Sequence, residues 1–150
     1  MSTKIKATQI IHFALCTAVF LFATVTILIN REDMIFTADF QETAPFNPVF
    51  PILSIASIVA SNFVYKNMIT KIDPNANLAV KFPLYQSAFL VSCALLEGIA
   101  LLNIVGFLMT RNAFFLIFAG LNLFFMIRKK PTKEKLITEL NIHYPETENL

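Results

Sequence analysis

The sequence has no tryptophan, three glycines and two cysteines in 150 residues, and only 15% of its residues are charged. Each shortage excludes something. Soluble domains carry about 25% charged residues to cover their surface, so a soluble globular enzyme is ruled out. Long uninterrupted apolar runs likewise exclude a nucleic-acid-binding domain, and the net charge of +2 is small. Two cysteines without a Cys-x-x-Cys spacing make neither a disulfide scaffold nor a redox pair; Cys16 and Cys93 read as small apolar packing residues. Hydrophobic residues form 56% of the chain, which excludes a disordered tail.

What is present is long apolar runs. About 20 such residues cross about 30 Å of hydrocarbon, and four segments are expected to do so: 10–29, 48–65, 84–109 and 113–127. The first, Ile10 to Ile29, exceeds the 7–15 residues of a signal-peptide core and is expected to be retained. The second begins at Pro48 or Pro51, prolines that suit a first helical turn. The fourth offers only about 22 Å at 1.5 Å per residue, so Arg111 and Arg128 are expected to snorkel from its ends. The runs are continuous rather than alternating, and lipid offers no partners to backbone groups, so they should be helices. The expected fold is a single all-α domain, a four-helix transmembrane bundle with a tail over 128–150.

Charge placement gives the orientation. Lys4, Lys6, Lys66, Lys71, Lys81, Arg128, Lys129, Lys130, Lys133 and Lys135 fall on one side of such a bundle, against Arg31 and Arg111 on the other. Under the positive-inside rule both termini are cytoplasmic, as in a multi-pass protein of the cell inner membrane. Tyr65 and Tyr85 should then sit at headgroup level. Outside, Ile35, Phe36 and Phe40 suit either a short interfacial helix or a solvated connector. The tail predicts a short amphipathic surface helix started by Pro131, with Leu136, Ile137 and Leu140 as its apolar face. Beside it Arg128, Lys129, Lys130, Lys133 and Lys135 would meet anionic headgroups, at about 1 kcal/mol each.

Glu97 is the one acid within an expected span, close to its middle. An ionised carboxylate at mid-bilayer costs about 2.5–3.5 kcal/mol on insertion scales, so it should stay protonated unless a cation or donor compensates. Thr17, Ser57 and Asn122 lie at similar expected depth and could hydrogen-bond it or complete an oxygen site. Such a site suits a proton or a monovalent hard cation; no transition-metal site and no cofactor is implied. Three readings stand: an ion-handling carboxyl, interhelical hydrogen-bond glue, or a contact to another subunit's charge. Ser54, Ser57 and Ser61 share one helix face, and Ala94 and Gly98 recur at similar spacing, which reads as close helix packing. Asn103, Asn122 and Gln86 read as interhelical glue. No nucleophile–base pair or phosphate loop is found, so no enzyme is expected.

The stretch Ala94-Leu95-Leu96-Glu97-Gly98-Ile99-Ala100-Leu101-Leu102-Asn103 resembles the carboxylate helix of rotary ATPase proteolipid (c) subunits. The resemblance implies that Glu97 would bind the transported proton or sodium ion. Unlike that family, span two has no glycine and the following loop is long, with Asp73-Pro74. The layout is also similar to a family of small uncharacterised bacterial four-span membrane proteins, through Ala-Leu-Leu-Glu-Gly at 94–98 and Pro-Thr-Lys-Glu-Lys at 131–135; that resemblance implies a layout and no activity. The expected function is therefore a proteolipid-like component handling a proton or monovalent cation through Glu97. The alternative is a non-catalytic assembly or accessory subunit with Glu97 as glue. Expected partners are the bilayer with its anionic headgroups, and further copies of the chain or a larger membrane complex; no nucleic acid is expected.

Overall fold

The computed structural model describes residues 3–39, 41–42, 44–144 and 147, without the side chains of residues 3 and 4. It contains α1 (Thr3–Asn30), α2 (Phe46–Thr70), α3 (Leu78–Thr110), α4 (Phe114–Arg128) and α5 (Lys133–Leu140). Among the described residues the only β pairing is an isolated bridge. Three helices, α1, α2 and α3, are long and apolar enough to cross a membrane, and α4 is a shorter apolar helix of 15 residues. The expected segments are all helical, but α1 and α3 begin earlier than their apolar runs. An apolar run measures the greasy part of a helix, whereas its start is set by capping. For α3 the cap is Asn77, whose side chain accepts a hydrogen bond from Val80 N at 3.0 Å. Helix α2 starts at Phe46, so Pro51 lies inside it rather than at its first residue.

Helix α3 is the centre, packed against α1, α2 and α4, and α4 also touches α1 and α2. Its inward stripe runs Phe89, Cys93, Leu96, Ala100, Ile104 and Phe107, the 3–4 spacing of one helix face. The outward faces are apolar: Phe13, Phe20, Ile52 and Phe63 are each more than 60% exposed. By contrast α2 buries Asn47, Ser54, Ser57 and Ser61 together with Phe50. That inverts the amphipathic pattern of a helix packed in water.

At the end of the bundle where α1 begins and α4 stops, Ile5, Ile72, Phe82 and Tyr85 enclose Leu136 and Leu140 of α5. The tail helix therefore turns its apolar face into the protein rather than onto a membrane surface. Nor does it start at Pro131: Thr132 is the cap, its Oγ1 accepting from Lys135 N at 3.2 Å. Lys81 clamps the far end of α5. Buried to 3% exposure, its Nζ donates to Leu140 O at 3.1 Å, a cation on the carbonyl end of a helix dipole. Tyr85 is likewise interior, 1% exposed, and not at a surface.

At the opposite end, of the two readings of the loop, the interfacial helix is absent among the described residues; Phe40 lies outside them. The chain is instead pinned as an extended segment. Ile35 N donates to Arg111 O at 3.0 Å and accepts in return, at its carbonyl, from Ala113 N at 2.9 Å. The buried Asn112 amide holds the crossing. Its Oδ1 accepts from Thr37 N and Phe114 N, both at 3.1 Å, and its Nδ2 donates to Thr37 O at 2.8 Å and Asn47 Oδ1 at 3.2 Å.

Gly106 is where α3 meets the aromatic cluster of Phe50, Phe107 and Phe115. A Cβ there would lie 2.7 Å from Phe50 Cε2 and 2.8 Å from Cδ2, whereas Gly98 and Gly120 face open space. The Phe50 ring is itself held against Phe46 and Phe115. Gly106→Ala is predicted to destabilise the bundle by about 1–3 kcal/mol, as overpacking does. Gly98→Ala and Gly120→Ala should leave it unchanged, all measured by thermal unfolding in detergent.

Candidate functional site

Helix α2 places a serine at 54, 57 and 61, and each turns inward to a different partner. Ser54 Oγ donates to Phe50 O at 2.9 Å and accepts from Asn103 Nδ2 of α3 at 2.8 Å. Ser57 Oγ lies 2.7 Å from Asn122 Oδ1 of α4 and 2.8 Å from Ser54 O, sharing one proton between them. Ser61 Oγ donates to Ser92 O of α3 at 2.9 Å. Asn103 and Asn122 also donate to Ile99 O at 2.8 Å and Phe118 O at 3.0 Å within their own helices. The result is a polar ladder, fully buried apart from Ser57 at 6% exposure, which ties α2 to both neighbours. The Asn103 Oδ1 acceptor alone in it has no hydrogen-bond partner.

Glu97 is not part of this ladder. It lies 16 residues from Lys81 and 14 from Arg111, about 24 Å and 21 Å by helix rise, and so midway between the charged ends of α3. At about 100° per residue, it points roughly 120–140° away from Ser92 and Asn103. That turns it toward α1 instead of α2 and α4. The expected gathering of Glu97, Thr17, Ser57 and Asn122 is therefore not formed. Ser57 and Asn122 bond each other, and Thr17, half-buried on α1, makes no hydrogen bond to Glu97. Glu97 itself is partly exposed and forms no hydrogen bond or ion pair among the described residues.

Cys16 is within electrostatic reach of the Glu97 carboxyl, and its Sγ lies 3.8 Å from His12 Nε2. His12 is buried, its Nε2 donating to Met126 O of α4 at 2.8 Å and its ring 5.7 Å from that of Phe89. His12 and Cys16 are four residues apart on α1 and share a face. Among the described residues there is no group of three or more His, Cys, Asp or Glu able to hold a metal ion.

The other expected residues divide. Ser54, Ser57 and Ser61 face inward and hydrogen-bond groups on α3 and α4. Ala94 and Gly98 are exposed and line an open groove against α2; the packed face of α3 is the stripe through Leu96 and Ala100, so these two small residues bring no helix closer. Of the basic residues, Arg128 and Lys130 are exposed, whereas Lys129, Lys133 and Lys135 are half-buried. Compared with known protein families, curated proteins and solved structures, the chain matches none.

A double-mutant cycle with Ser57→Ala and Asn122→Ala, read by unfolding in detergent, is predicted to give a coupling of about 0.6 kcal/mol, the average for such bonds between membrane helices. Pairing Ser57→Ala with Glu97→Gln should give none.

Proposed function

We propose that this is a multi-pass inner-membrane protein with four spans and both termini cytoplasmic, in which Glu97 takes up and releases a proton. The observation that carries the proposal is an acid near the middle of the longest apolar helix with no hydrogen-bonding or ion-pairing partner among the described residues. Internal glue would require bonds that Glu97 does not make, which counts against the accessory-subunit alternative. A bound sodium ion would need several oxygen ligands, and Ser57 and Asn122 are committed to each other. A proton needs no such set. Cys16 of α1, within electrostatic reach of Glu97, is no ligand for a hard cation. The partly exposed carboxyl would be completed by lipid or by a second copy of the chain.

Carbodiimide labelling of native membranes tests this directly, with the modified residue mapped by mass spectrometry. The reagent adds to a protonated carboxyl, so Glu97 should label readily at low pH and progressively less as pH rises, without protection by sodium. Glu97→Gln should abolish labelling and any proton uptake by proteoliposomes. No labelling at any pH would sink the reading, and protection by sodium at fixed pH would transfer it to a monovalent cation. The orientation has its own check. Cysteines placed at Lys130 should be shielded from an impermeant maleimide in intact cells, and cysteines at Arg31 should react.

A further inference from the structure

Helices α2, α4 and α5 converge on a cavity of about 380 Å³ at the basic end of the bundle. Four cations line it, Lys66, Arg128, Lys129 and Lys135, against a single acid, Glu139. The charges are brought together by tertiary structure: Lys66 closes the last turns of α2, Arg128 and Lys129 end α4, and Lys135 comes back on α5. None of the four is within ion-pairing distance of an acid among the described residues; the ion pairs there join Arg31 to Glu32 and Arg111 to Asp33. The Glu139 carboxylate is already engaged, accepting from the Tyr65 hydroxyl. Lys129 Nζ and Lys135 Nζ instead lie 5.1 Å and 5.5 Å from the centre of the Tyr65 ring, one aromatic surface shared by two ammonium groups. Burial, with the charge of Lys135 beside it, holds the Lys129 ammonium below the ordinary lysine range. Positive charge is thus concentrated and partly stripped of water, four cations against the one carboxylate of Glu139.

We propose that this cavity holds the phosphodiester headgroup of an anionic phospholipid, gripped by Lys66, Arg128, Lys129 and Lys135. A phosphate group supplies what the cations lack, several charged acceptor oxygens around one centre. The surroundings favour a lipid over a free anion. Phe89 and Phe125 line the cavity's inner part. Along the same helices, Val59 precedes Lys66 by two turns and Phe124 precedes Arg128 by one, 64% and 53% exposed, an apolar path on which acyl chains can lie. The Arg128 guanidinium stands 5.8 Å above the Phe124 ring, at the junction of the two environments. Basic pockets between membrane helices on the cytoplasmic side recognise headgroups in this way. The site differs from general attraction to a charged surface because it includes Lys66 on a different helix and leaves out Lys130 and Lys133.

The proposal rests on the membrane placement above, not on Glu97. It is tested by native mass spectrometry of the full chain released from detergent micelles, titrated separately with phosphatidylglycerol, phosphatidylcholine and inorganic phosphate. Wild type should retain one phosphatidylglycerol and no phosphatidylcholine, and inorganic phosphate should not displace it. Lys129→Gln with Lys135→Gln should weaken retention roughly thirtyfold, from two headgroup contacts. Lys66→Gln, an exposed substitution on the opposite wall that leaves folding alone, should weaken it roughly fivefold. Lys130→Gln with Lys133→Gln, equal in charge to the first pair, should have no effect. Equal weakening by the two double variants, or equal retention of the two lipids, overturns the site. Displacement by inorganic phosphate overturns the lipid as its ligand. Carbonate washing of native membranes separates the failures: a chain that resists extraction yet retains no phosphatidylglycerol refutes the pocket and leaves the membrane reading intact.

Discussion

Ser54, Ser57 and Ser61 set the terms for the rest of the bundle. In hydrocarbon a hydroxyl or amide without a partner is costly, so three serines on one face of α2 oblige that face to meet other polar groups. Asn103 and Ser92 on α3 and Asn122 on α4 are those groups. Meeting them fixes the rotation of α2 about its axis, and the rest of its circumference, with Ile52, Val59 and Phe63, is turned outward as a consequence. Two of the three glycines do not do this work. Gly98 and Gly120 meet nothing, and only Gly106 permits a close approach, that of the Phe50 ring.

The same ladder explains the isolation of Glu97. Polar groups near the middle of the bundle are bonded to one another on the α2 and α4 side, while Glu97 is turned by the helical phase toward α1. Cys16 of α1 is within electrostatic reach, and its thiol lies 3.8 Å from His12, whose bond to Met126 O joins α1 to α4. An acid without hydrogen-bonding partners among the described residues is poor glue. Its environment is defined by what the ladder withholds from it as much as by what lies beside it.

The two ends of the molecule solve different problems. At the loop end, one buried amide, Asn112, uses its donors and its acceptor on the entering chain, and the loop needs no helix of its own. At the basic end, Lys81 and the cluster around Ile5 and Tyr85 draw α5 back onto the bundle. That docking carries Lys135 and Glu139 over the ends of α2 and α4. A tail lying free on a membrane would have spread its charges; a docked tail concentrates them around Tyr65.

Much of this was legible in the residues alone. The length and apolarity of 10–29, 48–65 and 84–109 determined helices able to cross a membrane, because lipid leaves a long apolar segment no other way to satisfy its backbone. The serine stripe was readable too, since 54, 57 and 61 must share a face at 3.6 residues per turn. Depth along a helix follows directly from counting residues, and so Glu97, Thr17, Ser57 and Asn122 could be ranked at one level. Azimuth does not follow, because it depends on which neighbour each helix chooses to face. Only the tertiary structure decided that Ser57 bonds Asn122, that Glu97 looks toward Cys16, and that Lys81 reaches Leu140. The physical reason is one of range: backbone satisfaction is local and is written in runs of residues, whereas polar satisfaction between helices is settled only by how they pack.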